Sequence, residues 1–557
     1  MKRKKSLLKS LRQERQKGLY WGIVTAVILL FCVVFILYPF GKLFAQSFIE
    51  DGKFSLANYA KFFGRQSYRK VLWNTAKVSI CATLLGVVLG LPMAYITARF
   101  NIWGKKVIKA CIVLSMLSPP FIGAYSWILL LGKAGYITKF FQNVFNIDIG
   151  SIYGFKGILL VFTLKLFPYV FMYTSTALEN FDSALEEASE SLGVHGLARI
   201  RRVTFPIILP TILSAALIVF MTSMADFGTP VLIGRGYKVL TVLIYERYLS
   251  EVSTNASFAS SMAVVAVIFT LCVLFLQKWI LNRKSYTMSA LRPPQVVKLP
   301  TGKRILATAF VWIVSLIAML PQITIIITSF RNTNGSQFVK GFGLMNYRAI
   351  GSRVGSIVNT YKFGIISIII MMLLGLHLAY IIVRRKGKIA NILDTLAMFP
   401  YVIPGSVIGI GMVLAFNVKP LILTGTATIM IVAYTIRKLP FTLRSSIGTL
   451  YQIDPVIEEA SISLGETPMK TFFKTTAILM LPGMLSGAVL SFVATINELS
   501  STIILYSGGT STISAAIYTT LFADAYGPAA ALSTILTAST ILSLIIFNKI
   551  SGGKSVV

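Results

Sequence analysis

Apolar residues run along this chain in long blocks, separated by short polar stretches rich in lysine and arginine. Residues 20–40, 79–98, 305–330, 363–383 and 532–547 each approach or exceed the ~20 residues a helix needs to cross a bilayer. Backbone N–H and C=O groups have no water to bind in lipid, so such runs are helices. The pattern predicts twelve spans, near 19–43, 71–98, 107–131, 155–178, 205–233, 257–281, 304–329, 358–383, 391–416, 420–446, 475–505 and 530–548. The first run lacks a small-residue cleavage site after Pro39-Phe-Gly and is expected to be a retained span, not a removed signal.

The polar interruptions set an orientation. Eight cations, Lys2 to Lys17, precede the first run. Arg99, Lys105, Lys106 and Lys109 come after the second, Arg199, Arg201 and Arg202 after the fourth, and Arg384, Arg385, Lys386 and Lys388 after the eighth. Alternation puts these loops on one side, and the positive-inside bias makes that side cytoplasmic, with both termini. The segment 283–303 holds Arg292-Pro-Pro and Lys298-Leu-Pro; it reads as a cytoplasmic linker between two sets of six spans.

Composition agrees. Of 557 residues, 55% are hydrophobic and 13% charged, against roughly 25% charged in a soluble globular chain. The net charge of +34 lies in loops between apolar runs, without a basic patch interleaved with aromatics, which argues for topology and against a nucleic-acid partner. Cys32, Cys81, Cys111 and Cys272 sit inside apolar runs without ligand spacing.

Comparing the chain with itself exposes a repeat. Leu185-Glu-Glu-Ala-Ser-Glu-Ser-Leu-Gly193 matches Ile457-Glu-Glu-Ala-Ser-Ile-Ser-Leu-Gly465 at an offset of 272, as do Asp182 and Asp454, Pro168 and Pro440, Pro210 and Pro482, Phe220 and Phe492, and Asp226 and Glu498. Upstream the offset is 285: Asn74-Thr75 meets Asn359-Thr360, Gly90 meets Gly375, Ala94-Tyr95 meets Ala379-Tyr380, Arg99 meets Arg384, and Pro119 meets Pro404. A longer loop in the first copy absorbs the difference. Each copy holds an even number of spans, so the repeats are parallel and related by an axis along the membrane normal.

The repeated loop has an acidic first turn and a glycine stop. Asp182 and Asp454 are candidate helix caps, Pro455 suits the first helical position, and Gly193 and Gly465 suit a left-handed terminus. A short rigid helix held between two spans is a lever. Glu-Glu-Ala-Ser-x-x-Leu-Gly, with a Leu-Pro whose Pro lies seventeen residues after the Gly, resembles the "EAA" loop of type I ATP-binding-cassette importer permeases. The resemblance covers essentially the whole chain, twice over. It implies an all-α membrane fold and two coupling helices that dock on an ATPase, with Glu186, Glu187, Ala188 and Gly193 in the first and Glu458, Glu459, Ala460 and Gly465 in the second. Where the family has a second alanine this chain has Ser189 and Ser461.

The fused double-length form looks most like ferric-iron importer permeases. That implies two copies of a cytoplasmic ATPase, an extracytoplasmic substrate-binding protein, and residence in a bacterial inner membrane. Relatives for aminoethylphosphonate, thiamine, sulfate or polyamines share the loop. The expected organisation is a basic N-terminus (1–18), a first six-span half (19–282, loop 181–210), the linker (283–303) and a second half (304–550, loop 453–482).

Other chemistry is sparse. Ser551-Gly-Gly-Lys-Ser555 lacks the first glycine of a phosphate loop, since Asn548 stands there, so ATP hydrolysis is expected in a partner. No cofactor or metal site is expected, because His195 and His377 have no ligand-spaced neighbours. No nucleophile elbow or HExxH pattern suggests a membrane enzyme. An ion-gradient-driven transporter would share twelve spans but would not need the repeated loop. Asp226 and Glu498 each come just after an apolar helix. A carboxylate there either lines the path and favours cations, or braces a bend locally. Tyrosines such as Tyr95, Tyr125, Tyr169, Tyr173, Tyr380 and Tyr434 read as interface anchors before iron ligands.

Overall fold

The computed structural model describes residues 19–116, 120–148, 150–249, 256–282, 296–335 and 337–550. The basic segment 1–18, Pro119, most of the expected linker and the stretch 551–555 lie outside the described residues. Among those described, nine helices are long and apolar enough to cross a membrane. Helix α1 is Leu19–Ser47, α2 Gln66–Arg99, α3 Lys105–Met116, α4 Pro120–Leu131 and α5 Phe155–Glu179. The loop helix is α6, Ser183–Ser191, and α7 is Gly196–Ala225. Then come α8 Gly228–Ile233, α9 Leu240–Leu249 and α10 Ala256–Asn282. The second repeat supplies α11 Thr301–Phe330, α12 Met345–Arg384, α13 Lys388–Val402, α14 Gly405–Phe416, α15 Ala427–Gln452, the loop helix α16 Pro455–Ser463 and α17 Pro468–Ile496. It closes with α18 Thr502–Leu505, α19 Ile513–Phe522 and α20 Tyr526–Ile550. The nine are α1, α2, α5, α7, α10, α11, α12, α17 and α20.

Two bent helix pairs are also long and apolar enough to form a broken span or a re-entrant loop each, Lys105–Met116 with Phe121–Phe145 at 102° and α13 with α14 at 111°. Hydropathy alone predicts straight spans over 107–131 and 391–416. The second break has a local cause: Ile403 precedes Pro404 and is forced to φ −88°, ψ 138°, so the helix stops and restarts at Gly405. Helix α15, the repeat counterpart of α5, is not among these candidates; it carries Arg437, Lys438 and Arg444 within its apolar sequence. Spans expected at 205–233 and 475–505 likewise stop early, at Ala225 and Ile496.

The helices group into two compact units that do not respect chain order. One holds residues 19–46, 352–516 and 538–550; the other holds 47–351 and 517–537. The first helix of each repeat therefore joins the unit built mainly from the other repeat: α1 goes with the second, α11 with the first. In the second of these units, Val311, Val314 and Ala318 of α11 enter a core with Phe167 and Phe171 of α5, and the Trp312 indole N–H donates to the Trp103 carbonyl at 3.1 Å.

Repeated glycines permit a close approach of α2 to α5 and of α12 to α15. A Cβ on Gly90 of α2 would stand 2.8 Å from the Phe167 carbonyl of α5. A Cβ on Gly375 of α12 would stand 3.2 Å from Thr442 of α15. Small residues let backbones approach where lipid supplies no hydrophobic drive between helices. After each repeat's first helix comes an antiparallel hairpin, Ile49–Glu50 with Lys53–Phe54 and Arg331–Asn334 with Gln337–Phe342. Asp51 and Gly52 both take positive φ in the first, as an Asp-Gly hairpin turn requires.

Candidate functional site

The loop helices are built alike. The Asp182 carboxylate accepts from the Ala184 N–H at 3.0 Å and caps α6; Asp454 does the same for α16 through the Val456 N–H at 3.0 Å. Each helix ends at a left-handed glycine, Gly193 at φ +77° and Gly465 at φ +98°. The segment beyond each glycine also repeats at the offset of 272. One helical turn, Gly196–Arg199 or Pro468–Thr471, runs into a π-helical segment, Ile200–Thr204 or Phe472–Thr476, and then into the span. π-bulges are rare and gather at functional sites.

Glu186 and Glu458 turn inward. The Arg99 guanidinium at the end of α2 donates to both Glu186 oxygens, at 2.7 and 3.3 Å, with Arg99 only 4% exposed. At Glu458, Arg384 of α12 donates from Nε at 3.0 Å and the Tyr380 hydroxyl donates to the other oxygen at 2.9 Å. Arg384 also reaches the Ile453 carbonyl at 2.6 Å. Each loop helix is thus tied to the second span of its own repeat by a charge-assisted bridge. Ser189 and Ser461 add hydrogen bonds that alanine could not, to the Glu186 carbonyl at 2.8 Å and with the Thr471 hydroxyl at 3.0 Å.

The outward faces are open. Glu187, Ala188 and Gly193 are exposed, as are Glu459, Ala460 and Gly465. Leu192 and Leu464 project with 83% and 89% exposure at equivalent positions. A bulky apolar side chain held out beside a capped, anchored helix is a ready-made contact for a partner.

At the far end of α7 and α17 the repeat continues. Asp226 accepts from the Thr229 N–H at 2.8 Å and pairs with Lys165 of α5 at 2.9 Å. Glu498 accepts from the Ser501 N–H at 3.1 Å and pairs with both Arg437 and Lys438 of α15, the lysine at 2.7 Å. Lys165 and Arg437 are themselves 272 apart, so the offset that exposed the carboxylates could have found their cations too. Arg99 and Arg384 were legible as repeated cations, yet nothing in the pattern tied them to Glu186 and Glu458. The repeated Asn-Thr pairs also acquire a role. Asn74 and Thr75 bind the Lys238 carbonyl (3.1 Å) and the Leu240 N–H (2.8 Å); Asn359 and Thr360 bind the Gly509 carbonyl (3.0 Å) and the Ile513 N–H (2.7 Å). His377 is satisfied by the Tyr20 hydroxyl at 2.9 Å and the Leu373 carbonyl at 2.8 Å, and His195 is exposed at the start of α7. Among the described residues no His, Cys, Asp and Glu cluster could hold a metal ion.

A multi-span protein with two parallel repeats, each presenting an anchored helix between spans, is an importer permease in its architecture. The chain belongs to the family of binding-protein-dependent transport system inner membrane components, whose model matches residues 86–286 and 371–553, once per repeat. It is 30% identical over 547 residues to the ferric transport system permease protein FbpB of Actinobacillus pleuropneumoniae, covering 96% of this chain and 79% of that one. It is 29% identical to a putative ferric transport system permease FbpB 1 of Haemophilus influenzae, covering 91% and 80%. A second Haemophilus influenzae protein, Fe(3+)-transport system permease FbpB 2, is 24% identical over 87% of this chain and 91% of its own length. The chain is therefore a multi-pass inner membrane protein, the permease subunit of an ATP-binding-cassette importer, and works with an ATPase and a substrate-binding protein.

Proposed function

We propose that this subunit carries ferric iron and is driven by two cytosolic ATPase copies, each pressing on one loop helix, α6 or α16. The observation that carries the reading is the pair of loop helices: same cap, same glycine stop, same π-segment, each tied through a half-buried glutamate to a span. The two ferric permeases that cover more than nine-tenths of this chain support iron as the substrate.

In this mechanism both loops and both termini face the cytosol. Closing of the ATPase pair moves α6 and α16. The Arg99–Glu186 and Arg384–Glu458 bridges pass that movement to α2 and α12, and the covalent run through the π-segments passes it to α7 and α17. The spans of the two repeats then move to open a path outward, where the binding protein delivers its load. Asp226 and Glu498 brace the ends of α7 and α17, each being held by a backbone N–H and at least one cation.

The test is uptake into vesicles holding the full chain, its ATPase and its binding protein, with radiolabelled iron, aminoethylphosphonate and thiamine offered in parallel. Iron accumulation that needs both ATP and the ATPase is the expected result. Uptake of another solute in place of iron overturns the substrate; iron uptake at full rate without the ATPase overturns the mechanism.

A further inference from the structure

The cations that follow the second span fare differently in the two repeats. In the first, Lys105 and Lys109 of α3 both reach Glu179 at the end of α5, at 3.9 and 2.6 Å. The offset of 272 carries Glu179 to Tyr451, which is exposed and brings no acid. In the second, Arg385 and Lys386 follow α12 and Lys388 opens α13. All three are exposed, and among the described residues none of them is in an ion pair. The acids of the adjoining elements are engaged elsewhere: Glu458 holds Arg384, and Asp394 of α13 holds Arg444. Topogenic bias accounts for cations in both loops. It does not account for one set keeping its acid and the other standing unmatched.

The surroundings of these cations suit a molecule with a charged head and apolar tails. They stand at the end of α12 that meets the loop helix, because the adjoining Arg384 donates to Glu458. On α13, Ile389 and Ile392 are more than half exposed, as are Leu19 and Ile23 on α1. The rings of Tyr20, Trp21 and Phe473 gather beside them, and tyrosine and tryptophan mark the headgroup level of a bilayer. A row of Lys and Arg next to a span attracts anionic lipid.

Arg385 also touches the second anchor. Its guanidinium lies over the Trp21 ring at 5.8 Å, Trp21 stacks on Tyr380 at 4.5 Å, and the Tyr380 hydroxyl donates to Glu458 at 2.9 Å. Three contacts thus connect an exposed cation to the carboxylate that holds α16, all within one compact unit.

We propose that Arg385, Lys386 and Lys388 bind the phosphate headgroup of an anionic phospholipid, and that the bound headgroup steadies Trp21 and Tyr380 and so the anchor of α16. The effect on transport rests on the lever reading of α16 and on iron as the load; headgroup binding rests on neither.

The experiment takes the full chain from bilayers of mixed phosphatidylglycerol and phosphatidylcholine into mild detergent and counts the retained lipids by native mass spectrometry. Wild type should keep phosphatidylglycerol in preference. Arg385→Gln with Lys386→Gln and Lys388→Gln should cut that retention at least about tenfold. Arg385→Lys with Lys386→Arg and Lys388→Arg should preserve most of it. Lys105→Gln with Lys106→Gln and Lys109→Gln removes the same charge from the first repeat and should cut it far less. An equal loss there overturns the site, because bulk charge alone would then hold the lipid. Undiminished retention by the first glutamine variant at a wild-type melting temperature overturns it too. Inorganic phosphate binding the lipid-free chain as tightly as phosphatidylglycerol does would make this a free-anion site and overturn the lipid assignment. If that glutamine variant loses the ATPase on co-purification from phosphatidylcholine alone, the patch is an ATPase contact and the proposal falls. In vesicles with the ATPase and binding protein, phosphatidylglycerol should raise ATP-driven iron uptake by wild type and leave the glutamine variant and Trp21→Ala unmoved. Lipid retention without that response supports the site and overturns its effect on α16, whereas uptake that ignores the ATPase altogether overturns the lever reading instead.

Discussion

The two loop helices share a backbone and differ in how they are held. Around α6 Arg99 takes both oxygens of Glu186, and the Thr204 hydroxyl of the π-segment adds a longer contact at 3.5 Å. Around α16 the work is divided: Arg384 takes one oxygen of Glu458 and Tyr380 the other. Tyr380 is itself stacked on Trp21 of α1 at 4.5 Å and packed edge-on against Phe472 of the π-segment at 4.9 Å. The second lever thus feels the position of α1, while at the first the matching Tyr95 packs against Phe100 at 5.8 Å and lies beside Arg99 and Arg199. Duplication kept the lever and let the anchors diverge. The backbone geometry is what docking requires, and any buried donor set that satisfies the glutamate will serve.

The same divergence appears at the far ends of α7 and α17, where it has the larger energetic consequence. Glu498→Gln strands two buried cations and should cost about 3–5 kcal/mol, the range for breaking a buried pair. Asp226→Asn strands only Lys165 and should cost less, so the melting temperature in detergent should fall further for Glu498→Gln. Equal shifts would show that the second cation is not held by the carboxylate.

At the anchors, Arg99→Ala removes the ion pair and leaves Glu186 only the Thr204 hydroxyl, whereas Tyr380→Phe removes one hydrogen bond to a charged group, worth about 1.5–3 kcal/mol. ATP-driven uptake should drop more than tenfold for Arg99→Ala and only severalfold for Tyr380→Phe. Trp21→Ala should resemble Tyr380→Phe. If Trp21→Ala leaves uptake unchanged, α1 does not support the second lever.

Smaller again is the glycine stop. Gly193→Ala and Gly465→Ala place a side chain in left-handed backbone at about 1–2 kcal/mol each. The two should lower thermal stability alike, since both glycines sit at positive φ. Leu192→Ser and Leu464→Ser should leave stability unchanged and weaken capture of the ATPase, each alone less than the pair together. Melting curves and co-purification from membranes check both.

Much of this was legible from residue order. The spans come from apolar length, and the levers come from Asp caps, glycine stops and their recurrence at one offset. What escaped was whatever depends on a partner distant in sequence. Arg99 lies 87 residues from Glu186, and its cation looked like topogenic charge beside Lys105 and Lys106. Tyr380 looked like an interface tyrosine, yet its hydroxyl is committed to Glu458. The bends at α3–α4 and α13–α14 escaped because hydropathy is blind to direction, although Pro404 marked one of them. The Asp51-Gly52 turn was a local signal passed over among the apolar runs. The exchange of α1 and α11 between units has no local signature, because an apolar helix packs equally well on either neighbour until specific contacts such as Trp21 on Tyr380 choose.

The central claim is that α6 and α16 transmit force from an outside motor, and their exposed acids offer the most direct handle on it. The measurement is ATP-driven iron uptake by the reconstituted importer carrying Glu187→Lys together with Glu459→Lys, which changes the docking face and leaves the inward Glu186 and Glu458 anchors intact. Uptake should fall to the level seen without the ATPase while the melting temperature of the chain stays at the wild-type value. Undiminished uptake by that double variant would contradict the account.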